Sequence, residues 1–327
     1  MSRSIATLKR NEFTIEKLTS DFLIYQEYKN NSKATIEYYK VNLQMFAKYL
    51  SGEGITIIDD VDINVLRGYV LYLRSKPRHK NNTFFKPTTS ETLASKSIQT
   101  YCRAIKCFFN YLYHEGYIHT DFSQLFKLPK ATKKVIEILT DGEIKRILSY
   151  FNLEDGIDCR NYITVTLMID SGLRLSELVR LEISDLYIEQ SYIKVKGKGD
   201  KERIVPIGTY TQKAMLKYLN FLRPEPALNS IKNLLLCNDG KPITKETIKS
   251  MVVRLSKTVD IPRLHPHLCR HTFSTRYLMG GGNLFTLQSI LGHTSLEMVR
   301  NYSHLAASHA TLKHKQLSPI DNIMFGK

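Results

Sequence analysis

The 327-residue sequence predicts a mainly α protein with a small β-sheet, built as an N-terminal helical bundle followed by an α+β half. Three observations carry that expectation. Apolar residues recur at steps of three and four along most of the chain, two short β-rich segments bracket a Gly-rich turn, and a basic, proline-bearing stretch lies between the halves. At 43% hydrophobic and 24% charged the composition is ordinary for a globular chain, which excludes a disordered tail or a fibrous repeat.

Taken in order, Ile15, Leu18, Phe22 and Tyr25 line one face of a first helix. Ile36, Tyr39, Leu43 and Phe46 line a second, and Ile63, Leu66, Tyr69 and Leu73 a third. A fourth stripe, Ile98, Tyr101, Ile105, Phe108 and Leu112, ends before Gly116, which suits a left-handed helix stop. Pro77 to Ser97, with Arg78, His79, Lys80, Asn81, Asn82 and Lys86, reads as a long basic loop. Leu128 to Ile138 holds Pro129, Lys130, Lys133 and Lys134, and the Thr140-Asp141-Gly142-Glu143 that follows has capping-box spacing. The expected organisation is an extension over residues 1–12, a helical domain over 13–127, a basic linker over 128–139 and a second domain over 140–327. In that second domain, helical patterns at Asp158 to Asp170 and Leu173 to Leu181 precede a hairpin, Tyr192 to Val195 and Arg203 to Val205, around Gly197-Lys198-Gly199-Asp200. Helices are expected again after Thr209 and from Thr244, His267, Leu284 and Thr294.

The net charge is +16, which points to a polyanionic partner, most often nucleic acid. Up to residue 140 there are 21 basic and 13 acidic residues, and after it 26 and 18, so each half carries +8. Arg78, Lys80, Lys130, Lys133, Lys134, Lys201 and Arg203 are the candidate DNA contacts. The cysteines, Cys102, Cys107, Cys159, Cys237 and Cys269, are odd in number and scattered without a C-x-x-C pair. That argues against a disulfide framework or zinc ribbon and for a reducing cytoplasm. Met1 to Asn11 is polar and basic, and no run approaches the ~18 apolar residues of a membrane span. The expectation is a cytoplasmic, nucleoid-associated protein without a membrane partner.

Four short segments carry candidate chemistry. Ser171-Gly172-Leu173-Arg174-Leu175-Ser176-Glu177 sets Arg174 and Glu177 three apart, alone no more than a surface ion pair worth ~0.5 kcal/mol. Gly197-Lys198-Gly199-Asp200-Lys201-Glu202-Arg203 lacks the order of a nucleotide-binding P-loop; alone it is a solvated turn, and functionally it is a lysine able to reach into a substrate. His265-Pro266-His267-Leu268-Cys269-Arg270-His271 places His267 and Arg270 on one helical face. His267, Cys269 and His271 invite a metal reading, but no H-E-x-x-H glutamate is present and Arg270 would set a cation against the ion. Leu291-Gly292-His293-Thr294-Ser295 precedes Asn301-Tyr302-Ser303-His304, and Tyr302 stands out among 19 tyrosines only by its company.

Phosphodiester cleavage needs a nucleophile, a proton donor for the departing oxygen and cations for the non-bridging oxygens. Nucleases often use metal ions held by carboxylates for the last. No carboxylate cluster accompanies these segments, whereas two arginines do, and their planar forks match phosphate bidentately and stay charged. On this logic Arg174 and Arg270 clamp the phosphate and Tyr302 attacks it. His267 or His293 shares the phenol proton, and Lys198 protonates the leaving alkoxide, with neither metal nor cofactor called for.

The ordered set Arg174, Lys198, His267, Arg270, His293, Tyr302, with His293 nine residues before the tyrosine, resembles the tyrosine recombinase family, also called phage integrases. The likeness covers the catalytic half from about Thr140 to His304, and the helical first half resembles the family's SAM-like core-binding domain. It implies a C-shaped clamp on double-stranded DNA with paired half-sites and a 3′-phosphotyrosyl intermediate with a free 5′-hydroxyl. It also implies strand exchange through a Holliday junction by a homotetramer on synapsed DNA, with room for an accessory directionality factor. Glu177 and His271 fall at supporting positions, and Ala306 to Ile323 resembles a C-terminal helix that docks on a neighbouring protomer. Ser171 stands where many relatives have threonine, and Cys269 where leucine is common. The short N-terminal extension points to the two-domain, Xer-like or mobile-element type. The competing readings are a monomeric type IB topoisomerase, set apart by relaxing any supercoiled plasmid, and a DNA-binding regulator that has kept the fold but needs no nucleophile. The target sequence and the choice among integration, excision, transposition and dimer resolution are not legible in the residues.

Overall fold

The structure is a computed structural model, and it describes residues 13–77, 92–130, 137–197 and 201–292. The chain divides into two compact units, Met1–Lys134 and Val135–Lys327. Unit one holds α1 (Ile15–Tyr28), α2 (Lys33–Gly52), α3 (Ile63–Ser75), α4 (Ser95–His114) and the short α5 (Phe122–Leu125). Thr14, Ser32 and Asp62 cap the first three helices, each side chain accepting from a first-turn backbone N–H. α4 ends at its expected stop: Gly116 lies at φ +77° and Tyr117 N donates to Leu112 O at 2.9 Å, closing the last turn.

α4 is the centre of this unit and packs on α1, α2, α3 and α5. Its core is aromatic. Phe22, Phe46, Tyr69, Phe108 and Phe109 are all essentially fully buried, and Phe22–Phe108 and Phe46–Tyr69 meet edge-on at centroid distances of 5.5 and 4.9 Å. Of the basic loop Pro77 to Ser97, Arg78 and Lys80 lie outside the described residues, as do Lys133 and Lys134 of the linker; Lys130 is exposed.

Unit two holds α6 (Asp141–Ser149), α7 (Gly156–Ile169), α8 (Leu175–Leu178), strands β1 (Leu186–Tyr187), β2 (Tyr192–Lys196) and β3 (Glu202–Pro206), then α9 (Thr209–Lys217), α10 (Lys245–Thr258), α11 (Pro266–Met279) and α12 (Leu284–Leu291). The strands form an antiparallel sheet in the order β1-β2-β3, with Val195 opposite Arg203. β1 has only two residues, too few to show alternation in sequence. α7 is buried on nearly every face from Cys159 to Met168 and packs on α9 and α11, so it is the core helix of the unit.

One expected element shrinks. Leu173 to Leu181 reads as a helix, yet only Leu175–Leu178 is helical. Arg180 N and Leu181 N bond three residues back, and the Asn233 amide takes the Val179 carbonyl at 3.0 Å, so the helix tightens and stops after one turn. Arg174 is therefore the N-cap of α8, with extended backbone at φ −80° and ψ 152°, and not a residue on its face. α11 begins at Pro266, one residue before the expected His267, with proline in the first turn where its missing N–H costs nothing.

The first residues of unit two are tied to α11. Leu139 N donates to Thr272 Oγ1 at 3.0 Å, Arg276 Nη2 donates to Leu139 O at 2.8 Å, and Arg276 also pairs with Asp141. The Thr140–Glu143 capping box forms, and Glu143 also receives two parallel bonds from Arg263 at 2.7 and 2.8 Å. Those bonds, with the Thr140 N–H, hold the Glu143 carboxyl at about 2, below an ordinary value of 4.5. A carboxyl lowered on folding stabilises the fold fully above its unfolded value and loses that contribution as pH falls through the folded one. Glu143→Gln is expected to flatten the acid-unfolding limb between pH 4.5 and about 2. Near neutrality it should lower the melting temperature of this unit by about 2–4 °C per kcal/mol lost, with about 1 kcal/mol expected for a damaged cap; calorimetry against pH checks both.

Candidate active site

The site is built where three segments meet. Leaving α7, the chain turns at Gly172 with φ +64°; a Cβ there would stand 2.4 Å from Phe273 Cδ1 and 3.0 Å from Leu291 Cδ2. Glycine is thus what lets this turn touch both α11 and α12. The turn presents the Gly172 carbonyl to the Arg270 guanidinium of α11 and sets Arg174 at the head of α8. Ser171 anchors it by donating from Oγ to Pro206 O at the end of β3, 2.9 Å.

The second segment is the end of α12. Gly292 caps it at φ +61°, and the last carbonyls of a helix lack helical partners and favour cations. Leu291 O accepts from Arg174 Nη1 at 3.1 Å and from Arg270 Nη2 at 2.8 Å, so one carbonyl holds both guanidiniums side by side. Ile290 O accepts from Arg203 Nε at 2.7 Å.

The third is the hairpin. β3 returns Arg203 to the protein interior, where Nη1 and Nη2 donate to Glu177 Oε1 and Oε2, both at 2.9 Å. Glu177, only 4% exposed, also accepts the Arg174 backbone N–H at 2.8 Å and Arg174 Nη1 at 3.1 Å. Burial would raise the Glu177 pKa, but the Arg203 hydrogen bonds, the Arg174 N–H and the two positive charges outweigh it, so the pKa lies below the ordinary value. Among the described residues, one buried carboxylate, Glu177, stands near the guanidinium groups of Arg174, Arg203 and Arg270. That excess of positive charge, with Arg270 buried and about a third of the Arg174 side chain open to solvent, suits an anionic ligand.

His267 follows Pro266 on the first turn of α11, and His271 lies one turn on. Desolvation first, then the charges of His265, Arg270 and Arg174, lowers the His267 pKa. Desolvation, then His267, His265 and Arg270, does the same for His271. Both therefore favour the neutral imidazole near pH 7, the form able to accept a proton. Among the described residues, no group of three or more His, Cys, Asp or Glu is placed to hold a metal ion, and no helix is long and apolar enough to cross a membrane.

The structure therefore brings together Arg174, Glu177, His267, Arg270 and His271. Lys198, His293 and Tyr302 lie outside the described residues. Lys201 is exposed at the start of the returning strand. Arg203, grouped with the DNA contacts by its place in a basic hairpin, instead has its charge turned into the protein with 11% of its side chain exposed. Strand alternation contains the signal: Arg203 has the same parity as buried Val205 and lies opposite Val195, also buried. The Leu291 carbonyl has no such signal, because no side chain encodes it. A groove of about 980 Å³ also opens in this unit, lined by Leu148, Tyr162, Ile169, Phe273 and Tyr277 among others; its wall is mostly apolar and does not include the two clamp arginines.

Comparison with known proteins places the chain in a family. The profile described as the phage integrase family matches residues 137–309, and that of the phage integrase SAM-like domain matches residues 9–128. The tyrosine recombinase XerD of Staphylococcus saprophyticus subsp. saprophyticus is 28% identical over 293 residues, covering 89% of this chain and 94% of the relative. XerD of Listeria innocua serovar 6a is 26% identical over 302 residues, covering 91% and 96%. Among solved structures, the Tn1549 transposon integrase in complex with transposon right end DNA has a TM-score of 0.72 at 21% identity, covering 94% of this chain and all of that one. XerH bound to a palindromic difH substrate, a post-cleavage complex, has a TM-score of 0.68 at 20% identity, covering 94% and 84%. These likenesses share the fold of a helical SAM-like domain joined to an α+β catalytic domain. With both profiles spanning nearly the whole described chain, the protein belongs to the phage integrase family, the tyrosine recombinases.

Proposed function

We propose that the protein is a site-specific DNA recombinase that cuts and rejoins strands through a 3′-phosphotyrosine, with Tyr302 as nucleophile. The observation that carries this reading is the pairing of Arg174 and Arg270 on the Leu291 carbonyl. Two guanidiniums fixed by the backbone, with one carboxylate among three such cations, form a preorganised cradle for the non-bridging oxygens of a phosphodiester.

In the proposed step the Tyr302 oxygen bonds to phosphorus while the bond to the 5′ oxygen breaks. The phenol proton passes to His267 or His293, and Lys198 delivers a proton to the departing 5′ oxygen, which leaves as a hydroxyl. Glu177 holds Arg174, and His271 supports the histidine pair. Because a phosphodiester is exchanged for a phosphodiester, the reverse attack of a 5′-hydroxyl rejoins the strand without ATP. Exposed Lys130 and Lys201, with Arg78, Lys80, Lys133 and Lys134, are assigned to the backbone of double-stranded DNA. The working assembly is a homotetramer on paired half-sites exchanging strands through a Holliday junction, with an accessory factor for direction, in the cytoplasm at the nucleoid. Domain limits at 13–127 and 140–327 joined by the basic segment 128–139 fit a protein that grips DNA with both units. Likeness to the XerD tyrosine recombinases supports an Xer-like recombinase, and likeness to a transposon integrase supports a mobile-element one.

The test uses a duplex recovered by selection from a randomised library on the full-length protein. It is nicked a few nucleotides 3′ of the cleavage point so that the released fragment diffuses away. In EDTA and without ATP, the expected result is an SDS-stable protein–DNA adduct whose phosphotyrosyl peptide contains Tyr302. Breakage that requires magnesium and leaves no adduct would overturn the proposal.

A further inference from the structure

We infer that Arg203 is a positioning residue, whose guanidinium holds Glu177, and through it Arg174, against the carboxyl end of α12. The inference rests on the reading above, in which Arg174 and Arg270 hold the phosphate.

Three features of Arg203 carry it. Its two terminal nitrogens meet the two oxygens of Glu177 in parallel, both at 2.9 Å, the bidentate geometry that gives an arginine–carboxylate pair its directionality. Its Nε reaches the Ile290 carbonyl at 2.7 Å, one residue before the carbonyl shared by Arg174 and Arg270. And a Cβ on Gly292, which ends α12, would lie tightly against this side chain, 3.1–3.2 Å from its Cδ, Cζ and Nε. A residue at that close packing, with 11% of its side chain exposed, is spent on the protein and not on DNA.

The consequence for Arg174 follows from counting donors. With Arg203 satisfying both Glu177 oxygens, Arg174 gives that carboxylate a single side-chain bond through Nη1, gives the Leu291 carbonyl another from the same nitrogen, and keeps Nε and Nη2 for a phosphate. Without Arg203, a buried carboxylate in need of a partner would draw Arg174 inward. The phosphate would then lose one arm of its clamp, and displacements of about 1 Å in such sites cost on the order of 100-fold in rate. Lysine cannot replace this arrangement, because an ammonium has no planar fork.

The experiment measures single-turnover cleavage by Arg203→Ala and Arg203→Lys on the nicked duplex above. The scissile group is either a phosphodiester or a methylphosphonate, in which a methyl replaces one non-bridging oxygen and removes the negative charge. Arg203→Ala is expected to lose about 30-fold or more on the phosphodiester but under about 3-fold on the methylphosphonate, since the neutral group asks less of the clamp. Site affinity and its salt dependence should be unchanged. Arg203→Lys should show the same discrimination at about 5-fold or more, and it serves as the readout if the alanine variant fails to fold. Equal losses on both substrates, an undiminished rate, or weaker binding with a salt slope shallower by about 1, as for a phosphate contact, would each overturn the inference. Failure of the proposed function itself is separately visible, because the unsubstituted protein would then form no adduct on either substrate.

Discussion

Tyr302→Phe is expected to abolish covalent capture of DNA while leaving site binding within about twofold. The substitution removes one oxygen, and with it the atom that the proposed chemistry joins to phosphorus, so the adduct should fall below detection. Affinity should barely change, because binding by a chain of net charge +16 is dominated by many phosphate contacts spread over a large basic surface, to which a single hydroxyl adds little. Denaturing gels on the nicked duplex read the first quantity and native gel shifts the second. A phosphotyrosyl adduct persisting in the phenylalanine variant would mean that another tyrosine is the nucleophile.

Arg270→Lys is the second large effect. Arg270 is 8% exposed and ties the Gly172 turn to the end of α12 through the Gly172 and Leu291 carbonyls. Lysine keeps the charge but concentrates it on one nitrogen, which cannot bridge both carbonyls and still present a planar edge to a phosphate. Loss of a preorganised donor at a reacting centre costs about 3 kcal/mol, or more than 100-fold in the cleavage rate. The alanine variant should be worse for folding as well, since the buried Gly172 carbonyl would lose the partner it has in Arg270. Single-turnover cleavage with a melting curve for each variant separates the two losses. A lysine variant that cleaves at the unsubstituted rate would remove Arg270 from the phosphate clamp.

Much of the fold was legible because apolar spacing and capping residues act locally. The stripes of α1 to α4 carry the burial period of a helix. The capping box at Thr140 was readable for the same reason. Leu173 to Leu181 misled because its spacing is helical while its end is set from outside, by an Asn233 amide 54 positions away that removes a carbonyl from the helix. Arg203 misled in another way: a cation near a lysine-rich turn looks like a DNA contact until the returning strand's pairing fixes which face it occupies.

The sequence by itself determined the two-part helical design and the basic character of both halves, and it named the candidate groups for phosphodiester chemistry, since these depend on side-chain type and on spacing along one chain. Only the tertiary structure decided that Arg174 and Arg270 share the Leu291 carbonyl, that Arg203 turns inward to Glu177, and that Gly172 is required by close contact. The physical reason is that backbone carbonyls and chain crossings have no letter of their own: residues 117 positions apart are brought within 3.1 Å by the packing of α12 against the rest of its unit.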